Sequence, residues 1–264
     1  MDRPIFVFAQ PRSGSTLLQR LLNSLENVII YGEHLGLLKG VADSYIGFLK
    51  DPKRREFCSD TVDVEAFRTE TVNRLKDPLH FSAITNGLVG DEFDDTYRHF
   101  IKTLLHGAPA SDTRRWGFKE IRYGVGDVVF EMLLKLFPAA SFVFLVRHPL
   151  HSLESIEGTG WWKTSFDENL QGWFAQASNY LNYHRQFPKH SFFVKYEDLT
   201  NPGTQTASEL FKWLGYKFTS TQEHLLHNAG KIGAAKEKIV FSEDHRKKIF
   251  EVSRRPEVSA LYPE

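Results

Sequence analysis

Two arginines in this chain stand directly after apolar runs, each accompanied by hydroxyl-bearing residues that could help it hold an anion. The first lies in Gln10-Pro11-Arg12-Ser13-Gly14-Ser15-Thr16, a short loop of small and hydroxylated residues. The second is Arg147 in FVFLVRHPLHSLESI, residues 142 to 156, with Ser155 eight positions further on. A guanidinium offers a planar fork of donors that matches phosphate and sulfate oxygens, and hydroxyls add single donors beside it. The chemistry these residues suggest is the binding of a phosphorylated or sulfated ligand.

The elements that must position them are visible in the apolar pattern. Pro4 to Ala9 reads as a buried strand, and Leu17, Leu18, Leu21 and Leu22 recur at helical spacing. Strand, tight loop and helix in that order aim backbone N–H groups and the positive helix end at one spot, an anion cradle. Phe142 to Val146 predicts a second strand with Arg147 at its carboxyl end, and Pro149 suits the first turn of the helix that carries Ser155. Further strands are expected at Val28 to Tyr31, running into Gly32-Glu33, at Trp116 to Lys119, and at Phe192 to Lys195. Tyr196, Glu197 and Asp198 follow the last of these as loop and helix-entry residues that organise the fold. Between the strands, apolar spacing predicts helices over 34–50, 62–76 and 91–107, and a helical insert that begins with Trp161 and Trp162. The polar stretch 51–61 reads as a connection. The whole predicts an α/β fold, a single domain over 1–264 with a central, mostly parallel sheet flanked by helices in a P-loop-like architecture. Such open sheets gather ligands beyond the carboxyl ends of their strands, where both arginines lie.

A loop that binds ATP through the Walker A pattern needs a lysine directly after its last glycine. Here Ser15 follows Gly14, and no glycine precedes Gly14 in the chain. A P-loop kinase of small metabolites using ATP and Mg²⁺ is therefore the alternative reading.

The segment PRSGSTLL resembles the phosphosulfate loop of sulfotransferases that use 3′-phosphoadenosine 5′-phosphosulfate (PAPS), in the branch with Pro-Arg-Ser-Gly-Thr/Ser-Thr. The strand ending in Arg147 with Ser155 eight residues on is similar to that family's 3′-phosphate segment. The resemblance implies that Arg12, Ser13, Gly14, Ser15 and Thr16 hold the phosphosulfate, and that Arg147 and Ser155 hold the 3′-phosphate. A Gly-Glu pair at the place of Gly32-Glu33 supplies the catalytic base in tyrosylprotein and related sulfotransferases, so Glu33 is implied as general base, with His34 as the alternative. Two arginines near Glu33 are expected to hold its acidity up. The stretch RRWGFKEIRYG, 114 to 124, is similar to one in which a lysine contacts the moving group, which makes Lys119 the candidate for stabilising the bridging oxygen, with Arg122 serving substrate or sulfate. Lys231, Gly233 and Lys236 fall where relatives close a loop over the nucleotide. Tyrosylprotein sulfotransferases carry a serine near there, where this chain reads Gly233-Ala234-Ala235, a departure that argues against protein tyrosine as acceptor.

The reaction this implies is in-line transfer of a sulfuryl group from PAPS to an acceptor hydroxyl or amine, leaving adenosine 3′,5′-bisphosphate and requiring no metal. The sulfuryl group carries less charge than a γ-phosphoryl, so lysine and arginine can replace a Mg²⁺ clamp. One cysteine, Cys58, excludes a Cys-based zinc site, and His148 and His151 read as helix-start residues. With 33 basic and 33 acidic residues there is no broad basic field for nucleic acid. Carbohydrate, lipid, polyketide-type and other small-molecule acceptors are all compatible, with Trp161 or Trp162 as candidate contacts. The first strand begins four residues from Met1 and no long apolar run follows, so a cytoplasmic enzyme without a membrane anchor is expected.

Overall fold

A computed structural model describes residues 3–54, 58–61, 63–77, 87–106, 114–159, 164–228, 239–259 and 261–262. Lys231, Gly233, Lys236, Trp161 and Trp162 lie outside the described residues. The chain divides into two compact units: residues 1–36, 109–126 and 139–264 form the first, and residues 37–108 and 127–138 the second.

Five apolar runs of the first unit pair into one all-parallel sheet. The strands are β1 (Ile5–Ala9), β2 (Val28–Tyr31), β3 (Arg115–Glu120), β4 (Ser141–Val146) and β5 (Ser191–Lys195), in the order β2-β3-β1-β4-β5. Ile5 is in register with Gly117 on one side and Ser141 on the other. Every residue of β1 is buried, as a parallel strand covered on both faces requires. Its side chains alternate between two cores. Ile5, Val7 and Ala9 join Leu17, Leu18, Leu21 and Leu22 of helix α1 (Ser15–Asn23) in one apolar cluster. Burying each of those leucines contributes about 1.5–3 kcal/mol. Phe6 and Phe8 point the other way. Phe6 lies 4.9 Å from Phe118 and 5.5 Å from Phe142, and Phe8 lies 5.2 Å from Tyr123, ring centre to ring centre.

After β1 the chain crosses through α1 to β2, and β3 later inserts between them, while β4 pairs on the far side of β1. The crevice beyond the carboxyl ends of the strands opens where the order reverses, beside β1. The segments leaving these ends contain Arg12, Glu33, Arg122, Arg147 and Tyr196.

The second unit contains helices α2 (Leu38–Lys50), α3 (Val64–Lys76), α4 (Gly90–Leu105) and α5 (Val129–Leu136). Tyr45 of α2 is fully buried, stacks on Phe93 of α4 and donates its hydroxyl hydrogen to Asp94 Oδ1 at 2.6 Å. Of the expected α4 stripe, Ile101 is buried, whereas Phe100 and Leu104 are exposed. The expected helix over 34–50 starts only at Leu38. Leu35 and Gly36 take left-handed conformations, φ 58° and 71°, and the amides of His34 and Gly36 bond to Glu120 instead of to a helical turn.

In the first unit the remaining helices are α6 (Pro149–Glu157), α7 (Phe166–Gln186), α8 (Tyr196–Thr200), α9 (Thr206–Leu214), α10 (Ser220–His227) and α11 (Glu243–Ser253). Of the insert expected to be helical from Trp161, the described part is helix α7 from Phe166, begun by a reciprocal capping box of Ser165 and Glu168. No helix among the described residues is long and apolar enough to cross a membrane.

Candidate active site

The loop from Gln10 to Gly14 is shaped from within. Ser13 is fully buried, and its hydroxyl donates to Gln10 O at 2.7 Å. Gln10, 1% exposed, is anchored in turn by its Nε2, which donates to Trp173 O at 2.8 Å. Arg12 and Gly14 both turn left-handed, at φ 59° and 88°. Gly14 is the N-cap of α1, and no side chain caps the helix there. The first amides of the helix thus face outward without intrahelical partners, around Ser15 and Thr16. This is the backbone arrangement that accepts phosphate or sulfate oxygens.

The Tyr196 ring lies against Gly14 so closely that a Cβ at this position would overlap ring carbons. Gly14→Ala combines this overlap with a left-handed backbone, and should cost about 2–4 kcal/mol. In a denaturant titration the midpoint should fall with the slope unchanged; an unaltered midpoint would show that the ring moves aside freely.

Two guanidinium groups border the cradle. Arg12 Nε donates to Ser155 Oγ of α6 at 2.9 Å, and Arg147 Nη1 donates to Arg12 O at 3.2 Å. The Arg147 guanidinium also lies over the Tyr196 ring, 4.7 Å from its centre. Arg147 Nε is buried and has no hydrogen-bond partner among the described residues. Burial, and after it the charge of Arg147, lowers the pKa of Arg12. Positive charge collected in this way suits an anionic ligand. The backbone of His148 bonds to Glu197 Oε1 at 2.9 Å, and its ring accepts from Leu150 N as a helix cap, with Pro149 in the first turn.

Beyond β2 and β3 lies a second charged group. Lys119 Nζ donates to Glu33 Oε1 at 2.5 Å, and Arg122 Nη1 donates to Glu33 Oε2 at 2.7 Å. Lys119 is 5% exposed, while the Glu33 side chain keeps 28% of its surface open. Glu33 was expected near two arginines; its bonded cations are instead one lysine and one arginine, both from β3 and the turn after it. Arg122 Nη1 reaches a second carboxylate as well, Glu120 Oε1, at 2.9 Å. Glu120 has no exposed surface. Burial by itself would raise its pKa, but hydrogen bonds from Gly36, Ile121, Arg122 and His34 outweigh that and hold it below the ordinary carboxylate value.

The His34 ring is set among Phe118, Tyr123 and Glu120. Its ring sits edge-on to Phe118 at 4.7 Å, its Nε2 lies 3.2 Å from the Tyr123 hydroxyl, and its Nδ1 is buried 3.7 Å from Glu120 Oε2. Burial pushes its pKa down, with Glu120 pulling the other way.

The structure therefore gathers the sequence candidates into two groups, Arg12 to Thr16 with Arg147 and Ser155, and Glu33 with Lys119. The candidate residues 231, 233 and 236 lie outside the described residues. Sequence reading passed over Glu120 and gave Tyr196 only a structural place. Glu120 directly follows Lys119 in the chain, but nothing local distinguishes a carboxylate that will be buried. Tyr196 is marked only by its place at a strand's carboxyl end.

Residues 4–220 match the profile of the sulfotransferase family, a stretch that holds the five described strands and both groups of the site. No curated protein matches the chain. Among solved structures, the sulfotransferase domain of the Synechococcus PCC 7002 olefin synthase is similar at 18% identity, covering 100% of this chain and 97% of that one, with TM-score 0.56. The sulfotransferase domain from the curacin biosynthetic pathway is 18% identical over 97% of this chain and 99% of its own, with TM-score 0.51. Mouse sulfotransferase SULT7A1, solved with PAP, is 11% identical over 99% of this chain and 88% of its own, with TM-score 0.53. These likenesses establish the fold, and the profile match across the cradle and the Glu33 group establishes that the chain belongs to the sulfotransferase family.

Proposed function

We propose that this sulfotransferase moves a sulfuryl group from PAPS to the hydroxyl of a small-molecule acceptor, with Glu33 as general base. The observation that carries the reading is the presence of both halves of such a site at the carboxyl ends of one sheet. An anion cradle with two guanidiniums lies beyond β1 and β4, and a carboxylate held by Lys119 lies beyond β2 and β3. The residues fit the donor. Arg147 Nε, buried and without a hydrogen-bond partner among the described residues, suits a 3′-phosphate, the Ser155 hydroxyl stands on Arg12, and the uncapped start of α1 suits the phosphosulfate. When bound, PAPS supplies an activated sulfuryl group whose bond to the bridging oxygen breaks as the acceptor oxygen attacks.

The protein's own part is to hold charge and move one proton. Glu33 accepts the acceptor's hydroxyl proton, its carboxylate kept in place by Lys119 and Arg122. Lys119, nearly buried, sets a positive charge where negative charge develops on the leaving oxygen. Arg12 and the α1 amides steady the sulfuryl and phosphate oxygens. Positioning and electrostatics supply most of the catalysis, as in phosphoryl transfer. Small-molecule acceptors are supported by two of the similar structures, which are domains of an olefin synthase and of the curacin pathway. Mouse SULT7A1 with PAP in its structure supports the nucleotide.

Thermal unfolding tests the donor. Adenosine 3′,5′-bisphosphate at 100 times its dissociation constant should stabilise the protein by about 2.7 kcal/mol, and Arg147→Ala should remove most of that shift. Stabilisation by ATP–Mg²⁺ and not by the bisphosphate would sink the proposal and return the kinase reading.

A further inference from the structure

We infer that Glu120 is a positioning residue whose carboxylate fixes both the loop that carries Glu33 and the guanidinium that steadies it. The inference rests on Glu33 being the base. Glu120 Oε2 accepts from the amides of His34 at 3.1 Å and Gly36 at 2.9 Å, on either side of Leu35. Its Oε1 accepts from the amides of Ile121 at 2.8 Å and Arg122 at 3.2 Å, and from Arg122 Nη1 at 2.9 Å. That same Nη1 reaches Glu33 Oε2 at 2.7 Å. One buried carboxylate thus receives five donors, and two of its ties lead directly to the base: one through the backbone next to Glu33, the other through Arg122.

The loop needs such a tether. Leu35 adopts φ 58° although it is not glycine, and the residue is 79% exposed, so packing does not hold it there. A left-handed conformation at such a residue persists only where its surroundings over-determine it. The amides on either side of Leu35 converge on one oxygen, Glu120 Oε2, supplied from within the protein. The loop amides are thereby committed to a structural carboxylate, while the Glu33 carboxylate is left partly open.

The test compares the full chain with E33Q, E120Q, E33Q/E120Q and E120D. Gln keeps the size of Glu120 but offers an amide group to donors, and Asp keeps the charge but is one methylene short of the loop. Turnover is followed with PAPS and 4-nitrophenol, binding with adenosine 3′,5′-bisphosphate, and loop order by hydrogen exchange of the 30–38 segment. E120Q and E120D should each lose about 10–100-fold in kcat, since small misplacements of a reacting group cost about that much. Both should bind the bisphosphate within about threefold of wild type, because the cradle is built from other strands, and amide exchange over 30–38 should rise about tenfold or more in both. In the E33Q background, adding E120Q should change kcat by less than about threefold, because no base remains to be positioned. Losses that multiply, unchanged kcat or exchange in E120Q, or loss of bisphosphate binding in both single variants would overturn the inference. A wild-type protein that ignores the bisphosphate overturns the donor reading beneath it, an outcome seen before any variant is compared.

Discussion

Glu33→Gln should lower kcat by about 10²–10⁴-fold while leaving bisphosphate affinity within a few-fold of wild type. The substitution keeps the shape of a side chain held by Lys119 Nζ and Arg122 Nη1, but it removes the carboxylate proposed to take the acceptor's proton. His34 cannot substitute without rearrangement, because its Nε2 faces the Tyr123 hydroxyl and its Nδ1 is buried toward Glu120. Steady-state kinetics with PAPS, paired with calorimetric titration of the bisphosphate, separates the two effects. An E33Q enzyme within threefold of wild-type kcat would remove Glu33 from the mechanism and reopen the case for another base.

Lys119→Met should cost about 10²–10³-fold in kcat, the usual effect of deleting one preorganised donor to developing charge. Methionine fills nearly the same volume, so the 5% exposed site should not collapse. The bisphosphate lacks the sulfuryl group on which Lys119 is proposed to act, so its affinity should barely change, whereas kcat falls. A variant that loses bisphosphate binding and kcat in proportion would place Lys119 in nucleotide binding instead. Because Lys119 and Glu33 share a direct bond, the two substitutions should not be additive.

Much of this site could be read before any fold was known. Arg12 and Arg147 were identifiable because each follows an apolar run, and a run of buried residues ending in a charge marks a strand's carboxyl end. Four of the five strands begin within one residue of the sequence expectation, and β2 coincides with it. Ser155 stood out only through the resemblance to the 3′-phosphate segment, and its hydroxyl meets Arg12. The helix over 34–50 was overextended for a physical reason. Apolar spacing through Leu35, Leu37 and Leu38 reads as helical, but the amides at 34 and 36 are captured by a carboxylate 86 and 84 residues away. In the sequence Tyr196 reads as a fold organiser; its contact with Gly14 and Arg147 depends on β5 lying beside β4.

The sequence by itself determined the local units: which runs are strands, where the loop before α1 turns, and that cations and a carboxylate stand at strand ends. Hydrophobic period, turn chemistry and helix-start residues act over a few positions, so they are written in the chain directly. The partners of those charges were decided only by the tertiary structure. Glu33 was expected beside arginines, yet strand order sets β3 between β2 and β1, so its carboxylate meets Lys119 and Arg122, 86 and 89 residues on. Arg12 and Arg147 leave β1 and β4 on the other side of β3. Which strand lies beside which is a matter of packing the whole sheet, and no short segment carries that information.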